Sequence, residues 1–233
     1  MRPPRTRPEE SQEPGFPSVP EPWLRVSEIF LSLQGEARES GYPTVFVRLT
    51  GCPLRCSWCD TAYAFTGGER IAIPTILERV AAYGVSRVCV TGGEPLAQKE
   101  TPRLLVQLAD RGFRVSLETS GALPVEDVDP RVSRVVDLKP PGSGEVTKNR
   151  YENLACLGPA DQVKCVIASR EDYEWARAAL ERYGLASRVE VLFSPVYGQL
   201  EAQELAGWIL SDRLPVRFQV QLHKILWGEE PGR

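Results

Sequence analysis

The 233-residue chain reads as an α/β protein, a partial (β/α) barrel of mainly parallel strands. Two observations predict this. Short β-rich runs alternate with amphipathic helical runs, the pattern that calls for right-handed crossovers between parallel strands. Polar, glycine-bearing motifs follow the strands one after another, where parallel architectures place their ligand sites. About six or seven strands are too few to close an eight-stranded barrel, so the sheet is expected to stay open.

The opening stretch, MRPPRTRPEESQEPGFPSVPEPW, is rich in Pro, Arg and Glu and lacks apolar periodicity. Residues 1–22 are therefore expected to form a disordered or loosely docked tail, followed by one domain over 23–233. The alternation begins at Val26. Residues 44–49 (TVFVRL) form a strand that runs straight into GCPLRCSWCDTAY. Residues 74–83 form a helix: Pro74 suits its first turn, Leu77, Val80 and Ala81 share a face, and Gly84 caps it. A strand at 87–90 enters TGGEP, and a helix at 101–111 turns Leu104, Leu105 and Leu108 inward before stopping at Gly112. Strands follow at 114–118, 132–138 and 162–167, then a helix at 171–183 with Ser169 and Asp172 spaced as a capping box. A strand at 189–193, a helix at 201–210 and a last strand at 216–222 complete the order. The segment 127–162 is short of helix, which marks an abbreviated unit.

Composition narrows the function. A net charge of −3 argues against a surface built to grip nucleic-acid phosphates, so a small-molecule partner is expected. No apolar run is long enough to cross a bilayer, and the first residues lack the apolar core of a signal peptide, so neither a membrane partner nor secretion is expected. The cytoplasm, where thiols stay reduced, is the expected setting.

Cys52, Cys56 and Cys59 form a C-x3-C-x2-C loop, turned by Gly51 and Pro53. A four-iron, four-sulfur cluster usually takes four cysteine ligands, so three leave one iron open to another ligand. Other readings remain at this point. A zinc site wants four ligands in tetrahedral geometry, but the sole histidine, His223, lies far away in sequence. An iron–sulfur electron carrier would want a fourth cluster ligand. Cys89, Cys156 and Cys165 lie in or beside apolar segments and read as small buried hydrophobes.

The cysteine spacing, with Trp58 before the third cysteine, resembles the signature of the radical S-adenosylmethionine (SAM) enzymes. Three flanking motifs sharpen the likeness. EIFLSLQGE (28–36), GYPTVFVRLTGCPLRCSWCDTAYA (41–64) and QLHKILWG (221–228) together resemble the 7-carboxy-7-deazaguanine synthases, over residues 26–228. The resemblance implies a partial barrel of the radical SAM type carrying a [4Fe-4S] cluster on Cys52, Cys56 and Cys59. It implies that the open iron binds SAM and that a 5′-deoxyadenosyl radical takes hydrogen from C6 of 6-carboxy-5,6,7,8-tetrahydropterin. Ring contraction and loss of ammonia would then give 7-carboxy-7-deazaguanine, on the route to queuosine and other 7-deazapurines, with SAM regenerated. A glycyl-radical-enzyme activase is the alternative within the superfamily.

By matched position the resemblance puts SAM against Trp58, Cys59, Asp60, Gly93, Glu94, Ser120, Lys139, Pro140 and Pro141. It puts the pterin against Leu33, Gln34, Gly35, Glu36, Arg48, Thr91 and His223, and a magnesium ion against Thr61. A homodimer and a reducing partner of the flavodoxin or ferredoxin type are also implied.

The chemistry of these side chains suits such roles. In GGEP the glycines let backbone approach a ligand and Glu94 offers an acceptor for a cationic amine, although the same four residues suit a plain turn. Glu118 to Gly121 fit the hydroxyls of a ribose or, equally, a polar turn. Lys139 suits a carboxylate, or is an exposed strand-end lysine. The Arg48 fork matches a planar anion. The Thr61 hydroxyl is a hard ligand of the kind magnesium accepts, or a helix cap after Asp60. His223 is either a substrate ligand near the end of the last strand or a surface histidine. DLKPPGSG lacks the serine the family carries before its lysine. FSPVYGQL matches less closely, leaving residues 194–197 as candidates for the adenine side.

Overall fold

The computed structural model describes residues 21–228, 230 and 232. The expected tail lies outside the described residues except for 21 and 22. In chain order the elements are β1 (Trp23–Leu33), β2 (Pro43–Leu49), β3 (Glu69–Ala72), α1 (Ile73–Ala81), β4 (Arg87–Gly92), α2 (Thr101–Asp110), β5 (Arg114–Thr119) and β6 (Ser133–Asp137). They continue with β7 (Gln162–Ile167), α3 (Arg170–Arg182), β8 (Glu190–Pro195), α4 (Ala202–Asp212), β9 (Arg217–Phe218) and α5 (Leu222–Trp227). One nine-stranded sheet holds them in the order β3-β1-β2-β4-β5-β6-β7-β8-β9. From β2 through β4 to β9 every pairing is parallel and in sequence order, while β1 runs antiparallel to both β2 and β3. The sheet ends on β3 and β9, giving the open partial barrel expected from the sequence, although with nine strands instead of six or seven.

Two-residue periodicity sorts the strands into two faces. On the outer face Val45, Val47, Leu49, Val88, Val90, Val115 and Leu117 are buried with Ile76, Leu77 and Val80 of α1 and Leu104, Leu105 and Leu108 of α2. Further along, Val163, Cys165, Ile167, Val191 and Phe193 pack with Tyr173, Ala176 and Leu180 of α3 and Leu205 and Ile209 of α4. Each fully buried aliphatic side chain stabilises the fold by roughly 1.5–3 kcal/mol relative to exposure. The residues between them on the same strands, Arg48, Thr91, Glu118, Asp137 and Lys164, point to the other face, which lines a cavity.

Several expectations are corrected. β1 and β3 were not anticipated: the second half of β1, EIFLSL, lacks clean alternation, and β3 is four residues long. The last strand shrinks from 216–222 to Arg217–Phe218, and His223 lies in the first turn of α5, where Leu222, Ile225 and Leu226 have helical spacing. The segment 127–162 is indeed poor in helix, with 3-10 turns at Pro141–Ser143, Val146–Lys148 and Tyr151–Cys156 in place of an α-helix between β6 and β7. Cys89 and Cys165 are buried as expected, but Cys156 is exposed. It ends a 3-10 turn in which Leu154 takes the inward position, and Leu157 takes the next one.

The start of α3 follows the sequence signal in half. Ser169 Oγ accepts from Asp172 N at 3.2 Å, but the Asp172 carboxylate accepts from Gly142 N at 2.8 Å and Ala168 N at 3.1 Å instead of reaching back to Ser169 N. Ser169→Ala is therefore expected to cost about 1 kcal/mol of stability, read as a lower denaturation midpoint. An unchanged midpoint would show that the Asp172 contacts alone hold this end of the helix.

Candidate active site

The inner face of the sheet and the loops at the C-terminal ends of its strands enclose a cavity of about 430 Å³. Cys52, Cys56 and Cys59, all partly buried, share its wall with the charged residues of β5, β6 and β7. The cysteine loop is clamped from both sides. On one side Gly93 N donates to Leu49 O at 3.1 Å and Glu94 N to Gly51 O at 2.8 Å. A Cβ at Gly92 would collide with the Leu49 backbone, and one at Gly93 with Gly51 O and, at 2.9 Å, Cys52 Cβ. Both glycines are thus required by backbone approach to this loop. On the other side Ser57 N donates to Ser143 O at 3.0 Å and Ser57 Oγ to Gly142 O at 3.0 Å.

The thiol set fits three of the four ligand positions of a cubane. Among the described residues no three His, Cys, Asp or Glu side chains converge closely enough to hold one metal ion. A cluster instead takes each sulfur on a different iron, so three sulfurs spread around one wall suit it.

Three expected SAM contacts do not line the cavity. The Glu94 carboxylate is fully buried and turned inward, where it accepts from Leu96 N at 2.9 Å, Thr119 Oγ1 at 2.8 Å, Ser120 N at 2.7 Å and Ser120 Oγ. With its oxygens occupied, it ties the end of β4 to the end of β5 and is not the acceptor expected for a bound amine. Pro140 and Pro141 lead into the 3-10 turn that braces Ser57. The other expected positions, Trp58, Cys59, Asp60, Gly93, Ser120 and Lys139, do reach the cavity.

All the residues expected to meet the substrate line the same space: Leu33, Gln34, Gly35, Glu36, Arg48, Thr91 and His223. Arg48 donates from Nε to Glu28 Oε1 at 2.6 Å, and Tyr63 Oη donates to the same oxygen at 2.8 Å. The guanidinium also lies 5.7 Å from the Phe30 ring centroid and 5.9 Å from that of Tyr63, which fixes its plane. Burial, ahead of the Glu28 hydrogen bond, pushes the Tyr63 hydroxyl up to about 12, so it remains a donor. His223 is no surface histidine. Its ring packs on Gly35, where any Cβ would strike Nδ1, and Leu222 N donates to Gly35 O at 3.0 Å. Burial lowers its pKa against the pull of Glu36 and Asp60, which favours the neutral ring. Thr61 precedes the 3-10 turn Ala62–Phe65 without capping it through its side chain; Oγ1 lies 3.9 Å from Cys59 Sγ and faces the cavity.

Beneath these contacts runs a buried charge network. Lys164 pairs with Glu36 and lies 3.4 Å from Asp137 Oδ1, while Lys139 donates to Asp137 Oδ2 at 2.6 Å. Gln221 Nε2 bridges Glu36 Oε1 at 2.7 Å and Asp60 Oδ2 at 3.3 Å. Glu118 accepts from Gln34 Nε2 at 3.2 Å and from Cys89 Sγ at 3.6 Å. Burial pulls the Lys164 ammonium down, but Asp137, Glu36 and Glu118 outweigh it and hold its pKa well above the usual value. Burial pushes Glu36 up, and Lys164 more than reverses this, leaving it lowered. Glu118 goes the other way: burial first, then repulsion from Glu36 and Asp137, keeps it raised despite Lys164.

Sequence reasoning missed Lys164 altogether and did not assign Asp137 a role. The available signal was a lysine in the middle of QVKCVI, in phase with the inner-face positions rather than with Val163 and Cys165.

Residues 46–132 match the radical SAM superfamily. The chain is 47% identical over 210 residues to the 7-carboxy-7-deazaguanine synthase of Chlorobaculum tepidum, spanning 89% of this chain and 96% of that protein. It is 41% identical over 224 residues to the 7-carboxy-7-deazaguanine synthase of Koribacter versatilis, spanning 89% and 98%. In fold it is similar to QueE from Escherichia coli, with a TM-score of 0.71 at 22% identity over 86% of this chain and 95% of that one. It is also similar to Streptococcus suis SuiB bound to S-adenosylmethionine, with a TM-score of 0.52 at 13% identity over 73% and 48%. These two likenesses speak to the fold alone. The identities to the synthases, each sustained over nearly the whole of both chains, make this chain a member of the 7-carboxy-7-deazaguanine synthase family within the radical SAM superfamily.

Proposed function

We propose that this chain is a radical SAM lyase that converts 6-carboxy-5,6,7,8-tetrahydropterin to 7-carboxy-7-deazaguanine with release of ammonia, in queuosine and 7-deazapurine biosynthesis. The observation that carries the reading is the meeting of the three cysteines with a dense set of paired charges in one cavity. A glycyl-radical activase would need to admit a polypeptide, whereas a polar space of about 430 Å³ suits a small, hydrogen-bonding bicycle.

Cys52, Cys56 and Cys59 would hold the [4Fe-4S] cluster, SAM would lie along Trp58, Asp60, Gly93, Ser120 and Lys139, and Thr61 would offer its hydroxyl to magnesium. When bound, the cluster and SAM would supply hydrogen-atom abstraction from a substrate C–H bond. The protein's own contribution is orientation and exclusion of water. Arg48, held in plane by Glu28 and two rings, presents its remaining N–H groups to the substrate carboxylate. Glu36, kept ionised, accepts N–H groups of the pterin edge, and Gln34 reads the same edge. Glu118, which retains its proton more readily, and the neutral His223 ring complete an environment with both donors and acceptors. Residues 23–233 act as one catalytic domain. A homodimer, a flavodoxin- or ferredoxin-type reductant and a cytoplasmic setting belong to the same proposal. No helix among the described residues is long and apolar enough to cross a membrane.

Anaerobically reconstituted protein given SAM, reductant and carboxytetrahydropterin should release 7-carboxy-7-deazaguanine and ammonia. Formation of a radical on a second polypeptide, with no pterin turnover, would overturn the reading. Replacing Cys52, Cys56 or Cys59 singly with Ala should abolish cluster absorbance and turnover, while Cys156→Ala, at an exposed site away from the cavity, leaves both near normal. Equal losses at both kinds of position would argue against the cluster assignment. Thr61→Ala should flatten the response of the rate to added magnesium, and an unchanged metal dependence would remove Thr61 from that role.

A further inference from the structure

Lys164 stands apart from the rest of the site. It lies in the middle of β7, 8% exposed, between Val163 and Cys165, which face the apolar outer core. A buried lysine here is expensive by itself: removing an ammonium from water costs several kcal/mol unless well-placed carboxylates offset it. A leucine or methionine would fill the position without that cost. Lys164 is instead paired with carboxylates from distant segments. Glu36 belongs to the loop between β1 and β2, 128 residues earlier, and Asp137 ends β6. Each leads to a different side of the cavity. Glu36 is joined to Gln221, and its loop carries Gln34 and Gly35; Asp137 is joined to Lys139, which faces the cysteine loop.

We propose that Lys164 is a positioning residue that fixes the Glu36 carboxylate for the pterin and, through Asp137, holds Lys139 on the SAM side, so that one ammonium sets the spacing of the two ligands. The inference rests on the pterin reading given above. Lys164 acts on the pterin through Glu36, so its loss should be felt mainly as weakened substrate binding and should matter little once Glu36 has lost its charge. A purely structural ion pair would lower the melting temperature and leave binding alone. The groups facing Glu36 are Lys164, Gln221 and His223, with Glu118 and Asp137 nearby, and Lys164 is the cation in direct contact with its carboxylate.

The test is a double-mutant cycle on the reconstituted holoenzyme with Lys164→Met, Glu36→Gln and the double variant. The readouts are KM and kcat for carboxytetrahydropterin and its Kd by equilibrium dialysis without reductant. Lys164→Met should raise KM and Kd at least about tenfold, equivalent to about 1.4 kcal/mol, with a smaller change in kcat. In the Glu36→Gln background the same change should have much less effect, because the partner through which it acts is already gone. Unchanged Kd in Lys164→Met, or penalties that simply multiply in the double variant, would overturn the proposal. If Lys164→Met loses its cluster, Lys164→Gln, which keeps a donor, takes its place with the same two outcomes. Wild-type enzyme that does not turn over carboxytetrahydropterin would defeat the functional reading. Active wild-type enzyme with unaltered binding in the Lys164 variant defeats this inference alone.

Discussion

Side chains on a strand point alternately to opposite faces, and nearly everything in this molecule follows from how the parallel strands use that alternation. One phase is apolar throughout: Val45, Val47 and Leu49 on β2, Val88 and Val90 on β4, Val163, Cys165 and Ile167 on β7. That phase holds the helices. The other phase carries Arg48, Thr91, Glu118, Asp137 and Lys164, four of them charged residues that could not be buried unpaired against an apolar helix face. The stabilising face and the reactive face are therefore one residue apart along each strand, and a slip of register by one position would exchange them.

Such an interior is stable because its charges are satisfied by one another. Two opposite charges at about 4 Å attract by about 4 kcal/mol at an effective dielectric of 20, comparable to the desolvation that burial imposes. Lys164 and Glu36, in direct contact, lie on the favourable side of that balance, and both are held charged. Glu118 has Gln34 and Cys89 as hydrogen-bond donors and, among the described residues, no ion pair, and for it desolvation wins. Neighbouring carboxylates in one cavity thus reach different protonation tendencies through local pairing alone.

Much of this was legible in the sequence, and the exceptions have physical causes. The helices at Ile73–Ala81, Thr101–Asp110 and Arg170–Arg182 announced themselves through apolar spacing, Pro74 and Ser169. The cysteine loop and the strand-end motifs could be placed because parallel sheets put them at one mouth. β3 was too short to leave a periodic signal, the last strand was drawn on to residue 222 because VRFQVQL has no turn residue to stop it, and the six-residue α5 was not anticipated. Glu94 was misread for a different reason. A carboxylate after two glycines looks like a ligand, and nothing local reveals that Thr119 and Ser120, 25 and 26 residues on, will saturate it. The charge network escaped for the same reason, since its partners lie on separate strands.

The C-terminal part of the chain completes the cavity wall. Leu222 N is bonded to Gly35 O, His223 rests on Gly35, and Gln221 reaches Glu36 across 185 residues. The cysteine loop and the wall opposite it thus come from segments far apart in the chain, and the chamber exists only where folding brings the two together.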